Sequence, residues 1–333
     1  MTATEKRERP PLTIAMIATG RIADQRLAPA IAGLPEVELW SVYSRDIDRA
    51  RDFAHRHRAA APDPAFDDLA ALLDDPDLDA VLIASPDGLH AEQCIAAAKA
   101  GKHILCEKPM ATSVADARRM NAACRQAGVR LGIAYHLRWH QGLRELHRKV
   151  QAGDFGALRH LRVQWSILAD PANWRARPEV GRWWGLAAVG THGIDQIRWM
   201  MRPTCGEIIR QGALITRRVH EGPHDESASL HFEFESGATA ELYTSVLFDA
   251  PSRMEIYGSE GYALCEKALG MQGAGSIRTH EGELPFSIVD PYAEEIEDFA
   301  AAIREGRDPE VAGEEGLRNI ELIERAVASE PPG

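Results

Sequence analysis

The segment Ala18-Thr19-Gly20-Arg21-Ile22-Ala23 joins a short apolar run, Leu12–Ala18, to a helical pattern, Ile22–Ala32. A turn between a first strand and a first helix is where a dinucleotide pyrophosphate binds, because the unpaired N–H groups and dipole of the helix start favour negative charge. Gly20 leaves the backbone open to close approach by phosphates, and Ala23 is small enough where helix meets strand. Ala18 holds the position of the first glycine, which a turn of negative φ tolerates. Without its place in the chain the segment is a plain strand–turn–helix with one glycine. A second segment ends on charged residues: His103-Ile104-Leu105-Cys106-Glu107-Lys108-Pro109-Met110. Carboxyl ends of parallel strands face the ligand crevice, and Pro109 stiffens the backbone at Lys108, with a cis bond open to it. On physical grounds alone, Glu107 and Lys108 form a structural salt bridge.

The end of the second apolar run, Val37–Tyr43, bears on NAD against NADP. A carboxylate there binds the ribose 2′-OH, whereas an arginine accommodates a 2′-phosphate. The chain reads Tyr43-Ser44-Arg45, so Ser44 can hydrogen-bond a phosphate and Arg45 can pair with it. This favours NADP; if Arg45 only starts a helix, NAD binds with Asp46. Trp174, Trp183 and Trp184 cluster with Asn173, Arg175 and Arg182. Aromatic, Arg and Asn side chains together grip sugars, or the tryptophans fill a domain interface. Tyr135, Arg138 and His140 line the crevice or anchor an interdomain helix. His90 reads as a helix cap. The His and Cys residues show no metal spacing.

The elements that carry these residues fall into two textures. Through about residue 137, strands and helices alternate. Strand patterns at Val37–Tyr43, Ala80–Ala84, His103–Cys106 and Val129–Tyr135 interleave with helical patterns at Asp46–His55, Asp67–Leu73 and His90–Ala100. A further helix starts at a Ser113…Asp116 capping spacing and ends at Gly128. This is the signature of an α/β, doubly wound parallel sheet. Beyond it, alternating runs around Ser236-Gly237 and Gly258–Gly261 predict antiparallel hairpins. Helices carrying Tyr292, Ile296, Phe299 and Ile303, then Leu317, Ile320, Ile323 and Val327, complete an α+β half with an open, mostly antiparallel sheet. The expected division is a tail over 1–11, a dinucleotide-binding Rossmann domain over 12–137 and a substrate and oligomerisation domain over 138–333. A chain of 333 residues is long enough for two cores. Its net charge of −12 argues against nucleic acid as a partner. No apolar run approaches the ~18 residues of a membrane span. Five cysteines without a C-x-x-C pair fit a reducing, cytoplasmic setting.

Three segments together resemble the glucose–fructose oxidoreductase, inositol dehydrogenase and rhizopine-catabolism (Gfo/Idh/MocA) family: Thr19–Ala23; His90-Ala91-Glu92-Gln93 through Gly101 to Pro109; and Gly190-Thr191-His192-Gly193-Ile194-Asp195. Tyr135–His140 is similar to the segment leaving the family's Rossmann domain. The resemblance implies an NAD(P)-dependent dehydrogenase or reductase acting on CH–OH groups of a sugar, polyol or cyclitol. It implies that Lys108 lies between nicotinamide and substrate, and that His192 contacts the same oxygen with a pKa suited to acid–base work. The cofactor-binding set is then Ala18, Thr19, Gly20, Arg21, Ile22, Ser44, Arg45, Ser85, Pro86, His90, Glu107 and Lys108. The substrate-binding set is Tyr135, Arg138, Trp174, Trp183 and Asp195. One position departs from the pattern: family members often carry an Asp four residues before the histidine, and here it is Ala188. Lys108 and His192 must then act as a pair; the alternative is a catalytically weak or inactive cofactor- or sugar-sensing protein. The open sheet face predicts a homodimer or homotetramer.

Overall fold

The computed structural model describes residues 10–172, 174–177, 181–220 and 222–329. Its first sheet comprises β1 (Leu12–Ile17), β2 (Val37–Tyr43), β3 (Ala65–Phe66), β4 (Ala80–Ile83), β5 (His103–Glu107) and β6 (Leu131–Ala134). All pair in parallel, in the order β3-β2-β1-β4-β5-β6. The order reverses between β1 and β4, so a crevice opens at their carboxyl ends. Helices α1 (Ala28–Ala32), α2 (Ile47–Arg56), α3 (Leu69–Leu73), α4 (His90–Lys99) and α5 (Val114–Ala127) provide the crossovers. Central strands are apolar throughout because both faces are covered: Met16, Ile17, Val81, Leu82 and Ile83 are fully buried. Ser113 caps α5 by accepting the Asp116 N–H at 3.0 Å, and Gly128 ends it at φ +71°. β3 escapes the sequence pattern because two residues carry no periodicity.

After α6 (Gln141–Ala152), the second half forms β7 (Leu158–Ser166), α7 (Thr191–Cys205), β8 (Ile208–Thr216), β9 (Ser227–Phe234), β10 (Thr239–Ser245), β11 (Arg253–Gly258), β12 (Tyr262–Glu266), β13 (Ser276–Thr279) and β14 (Gly282–Glu283). The sheet order is β14-β13-β12-β11-β7-β10-β9-β8, antiparallel except between β7 and β10. β7 and β8 add to the predicted hairpins. One face buries Leu161, Val163, Leu230, Phe232, Leu242 and Ile256, while Arg162, His231 and Tyr243 on the other are exposed. Gly193 of α7 lets that helix press on the covered face, since a side-chain carbon there would sit 2.5 Å from Leu242.

The chain then returns to the first sheet. α8 (Pro291–Glu305) is started by Asp290, which accepts the Tyr292 N–H at 3.0 Å. Its Tyr292, Ile296 and Phe299 share a core with Ile14, Met16, Leu105 and Ala134. α9 (Gly313–Ala328) lies on α5 and α7, and Ile133 N–H donates to Val311 O at 2.9 Å. Residues after 290, assigned by sequence to the second unit, thus also seal the first. No helix among the described residues is long and apolar enough to cross a membrane.

Candidate active site

The turn after β1 is held over the end of β2 by the Ala18 N–H, which donates to Tyr43 O at 2.9 Å. Ala18 adopts φ +89°, not the negative value expected. An alanine pays roughly 1–2 kcal/mol in the left-handed region, and such strain gathers at ligand sites. A side-chain carbon on Gly20 would meet no atom within 4 Å, so the space over the turn is open. Asp24 N–H closes the first helical bond on Gly20 O at 2.9 Å, leaving the earlier amides directed out of the helix end. Thr19 and Ile22 are half-buried and Arg21 is exposed. At the end of β2, Asp46 caps α2, its Oδ1 accepting the N–H of Asp48 at 3.1 Å and of Arg49 at 3.3 Å. Ser44 Oγ accepts the Asp46 N–H at 3.3 Å. Arg45 is exposed and engaged by no partner among the described residues. An open glycine turn and an unengaged guanidinium suit a phosphorylated dinucleotide.

Lys108 precedes a cis proline. Glu107 Oε2 accepts the Lys108 backbone N–H at 3.1 Å, while Lys108 Nζ donates to Ala188 O at 2.9 Å. The side-chain salt bridge expected on physical grounds is therefore replaced by a contact across the cleft. Ala188 sits in a wide turn, Leu186–Gly190, closed by the Thr191 N–H on Leu186 O, which runs directly into α7. Where the family pattern carries an aspartate, this chain presents a main-chain oxygen. A main-chain oxygen accepts from the amine and orients it without bringing the negative charge of a carboxylate. Burial, and then the positive charge of Arg175, pull Lys108 down to about 8.

His192 follows one turn later. Its ring packs edge-on to His136 at 4.9 Å and to Tyr135 at 5.8 Å, and lies 5.4 Å from Trp165. Its Nδ1 is buried with no partner among the described residues. Burial first, then the charge on Lys108, push its pKa well below the ordinary histidine value. The ring is therefore neutral near pH 7, rather than titrating there as expected.

Two contacts brace the loops around Lys108. His90 does not cap α4: its Nδ1 lies 3.0 Å from Pro109 O and its Nε2 2.9 Å from Ser85 O. It thus clasps the β4 and β5 loops together. Ser85 Oγ donates to Gln93 Oε1 at 2.6 Å, and Pro86 is half-buried beside it. Asp87 takes a two-point ion pair from Arg175, at 3.2 Å and 3.0 Å, with the guanidinium 4.2 Å from the Trp174 ring. Sequence reasoning named Arg175 but not this pairing, which spans 88 positions.

The expected substrate set divides. Tyr135 is buried, its Oη 2.6 Å from Thr191 Oγ1, so it supports the start of α7. Arg138 and Asp195 are bound to each other at 2.9 Å and 2.7 Å, and Arg138 also reaches Glu315 at 2.7 Å. Asn319 Nδ2 donates to Asp195 at 3.2 Å. With side chains 5% and 1% exposed, this pair is an interdomain anchor in place of a substrate contact. Trp183 is packed in the core with Arg182 over its ring at 5.5 Å, which answers the interface alternative. Trp174 is half-buried at the cleft; Asn173 lies outside the described residues. His136 was missed: its ring stacks on Tyr292 at 4.5 Å while touching His192, a contact made only when α8 returns.

Residues 12–135 match the oxidoreductase family model with an NAD-binding Rossmann fold, and residues 143–264 match the GFO/IDH/MocA C-terminal domain. The chain is 30% identical to a 1,5-anhydro-D-fructose reductase of Ensifer adhaerens, over 75% of this chain and 76% of that one. It is also 30% identical to a D-xylose 1-dehydrogenase (NADP(+)) of Haloferax volcanii, over 96% of this chain and 97% of that one. A 3-ketoreductase from Actinomadura kijaniata, solved with NADP and TDP-benzene, superposes with a TM-score of 0.80 at 25% identity, covering 96% of this chain and 98% of that one. The open glycine turn, the Lys108–His192 pair and these matches together place the chain in the Gfo/Idh/MocA family, as an NAD(P)-dependent oxidoreductase.

Proposed function

We propose that the protein interconverts a hydroxyl and a carbonyl on a sugar, polyol or cyclitol, with NADP preferred to NAD. The observation that carries this reading is the Lys108 ammonium, drawn across the cleft to Ala188 O at 2.9 Å beside the buried His192 ring. The bound nicotinamide supplies or accepts the hydride. Lys108 Nζ takes the hydroxyl proton in oxidation and returns it in reduction. Neutral His192 hydrogen-bonds the same oxygen, and the His90 contacts with Pro109 O and Ser85 O hold the loop that carries Lys108. Arg45, exposed at the end of β2 without a partner among the described residues, supports NADP, while Asp46 Oδ1 is engaged in capping α2. The sugar assignment draws on relatives named for 1,5-anhydro-D-fructose and D-xylose, and on Trp174 and Arg175 at the cleft. The buried thiols, all free, fit a cytoplasmic setting, and the exposed sheet face fits self-association.

Lys108→Met tests the reading. Turnover across a sugar and polyol panel is expected to fall by roughly 10²–10⁴-fold, while NADPH still quenches intrinsic fluorescence and binds more tightly than NADH. Turnover that survives the substitution, or no fluorescence change with either nucleotide, would overturn it.

A further inference from the structure

The wide turn that presents Ala188 O to Lys108 is fastened at its start by a residue outside every motif above. Asp225 is 2% exposed and sits where the loop after β8 enters β9. Its Oδ1 accepts the Trp184 N–H at 2.9 Å and its Oδ2 the Leu186 N–H at 2.6 Å, while its own carbonyl accepts the Gly185 N–H at 3.1 Å. Three successive amides at the start of this helical segment are thus held by one residue. First-turn amides lack intrahelical partners, and a carboxylate there also meets the positive end of the helix dipole. The approach is close enough that any side chain between them would push on the contact. A side-chain carbon on Gly185 would lie 3.1 Å from Asp225 Oδ2 and 3.2 Å from Glu226 O. Thr244 on β10 adds a weaker bond, its Oγ1 donating to Gly185 O at 3.4 Å.

We propose that Asp225 is a positioning residue for the reaction: by pinning the amides of Trp184 and Leu186 it sets the turn whose Ala188 carbonyl aims the Lys108 ammonium. The inference rests on the role given to Lys108 under the proposed function. Asp225 touches neither substrate nor cofactor in this arrangement and acts through the main chain. The charged and titratable groups around it are Arg217, His220, His224 and Glu226 on its own loop, with Arg182 on the facing segment. Glu226 is occupied by the N–H groups of Val219 and His220, and His224 Nδ1 lies 2.8 Å from Arg182 O. Among the described residues of this loop, Asp225 is therefore the acid that reaches the turn before α7.

Asp225→Asn keeps the shape but replaces one acceptor oxygen with a donor. Loss of one amide contact frees the turn and weakens the Ala188–Lys108 bond, which favours the protonated amine. The expected results are a fall in kcat of roughly ten- to a hundredfold, an unchanged NADPH affinity, and a downward move of the pH at which Lys108 titrates in the turnover profile. A residue that serves folding alone would lower the melting temperature and leave kcat per folded molecule and the pH profile where they were; that outcome overturns the proposal. Gly185→Ala, a milder push on the same contact, should move kcat and the profile in the same direction by less. If Asp225→Asn fails to fold and Gly185→Ala leaves both readouts unchanged, the proposal is likewise overturned. Lys108→Met run in parallel separates the two claims: its activity decides the proposed function, and the Asp225 and Gly185 variants decide the positioning role.

Discussion

At the scale of single residues, the site turns on which group carries the proton. His192 is too thoroughly buried to accept a charge near neutrality, whereas Lys108, pulled down to about 8, changes state within reach of ordinary conditions. The sign follows from direction. In the role proposed for Lys108, oxidation needs it deprotonated, so the rate should rise with pH and level off above about 8. Reduction needs the ammonium, so its rate should fall as pH rises through that value. Steady-state rates in both directions across this range check the assignment; parallel limbs in the two directions would contradict it. Ala18 makes a different point. Its type suggested a negative φ, yet the backbone passes through +89°, because the N–H bond to Tyr43 dictates the turn.

At the scale of elements, the joint between the halves is an ion network and not a substrate subsite. Arg138 links the short turn after β6 to Asp195 on α7 and Glu315 on α9. Arg198 donates to Asn319, which in turn holds Asp195. Removing one partner of a buried pair leaves an uncompensated charge and costs roughly 3–5 kcal/mol. Arg138→Ala should therefore unfold at clearly lower temperature or denaturant concentration than the wild type. Glu315 gives the pH dependence: against the upward push of burial, the charges of Arg198 and Arg138 draw it down to about 2. An acid depressed in the folded state stabilises above its ordinary pKa and loses that contribution as pH falls toward the folded value. The network should thus contribute on the order of 3 kcal/mol at neutral pH, lost between about pH 4.5 and 2. Chemical denaturation of Glu315→Gln across that interval should lack this slope.

At the scale of the whole molecule, one side of the large sheet is unaccompanied by helices. Leu214, Tyr243, Phe248 and Tyr257 are exposed on or beside it, with Tyr243 and Phe248 stacked at 6.2 Å. On this patch rests the proposal that the protein associates with copies of itself. Light scattering should give a dimer or tetramer mass, and Tyr243→Asp should shift it toward the monomer. A monomer mass that does not change with concentration in the unsubstituted protein would rule the assembly out. The return of α8 to the first sheet also bears on cutting the chain. A fragment ending near residue 137 would expose the apolar surface that Tyr292, Ile296 and Phe299 cover, and so it is poorly suited to fold alone.

Sequence alone determined what is local. Apolar runs bounded by glycine and proline marked the central strands, the Ser113 cap marked a helix start, and two short motifs marked Lys108 and His192, because each is a property of neighbouring residues. Only the tertiary structure decided what those residues touch. The main-chain oxygen of Ala188 has no side-chain signature, so its service to Lys108 was hidden behind an alanine that looked like a loss. Arg138 read equally as a crevice residue or an interdomain anchor, and its partner Asp195, 57 positions away, was found only by folding. Asp225 gained its place from a loop that folds back on the turn 39 to 41 positions earlier, and His136 from α8 returning to the first sheet. Local propensity acts over a few bonds, whereas a site at a domain junction is assembled by contacts whose partners lie far apart in the chain.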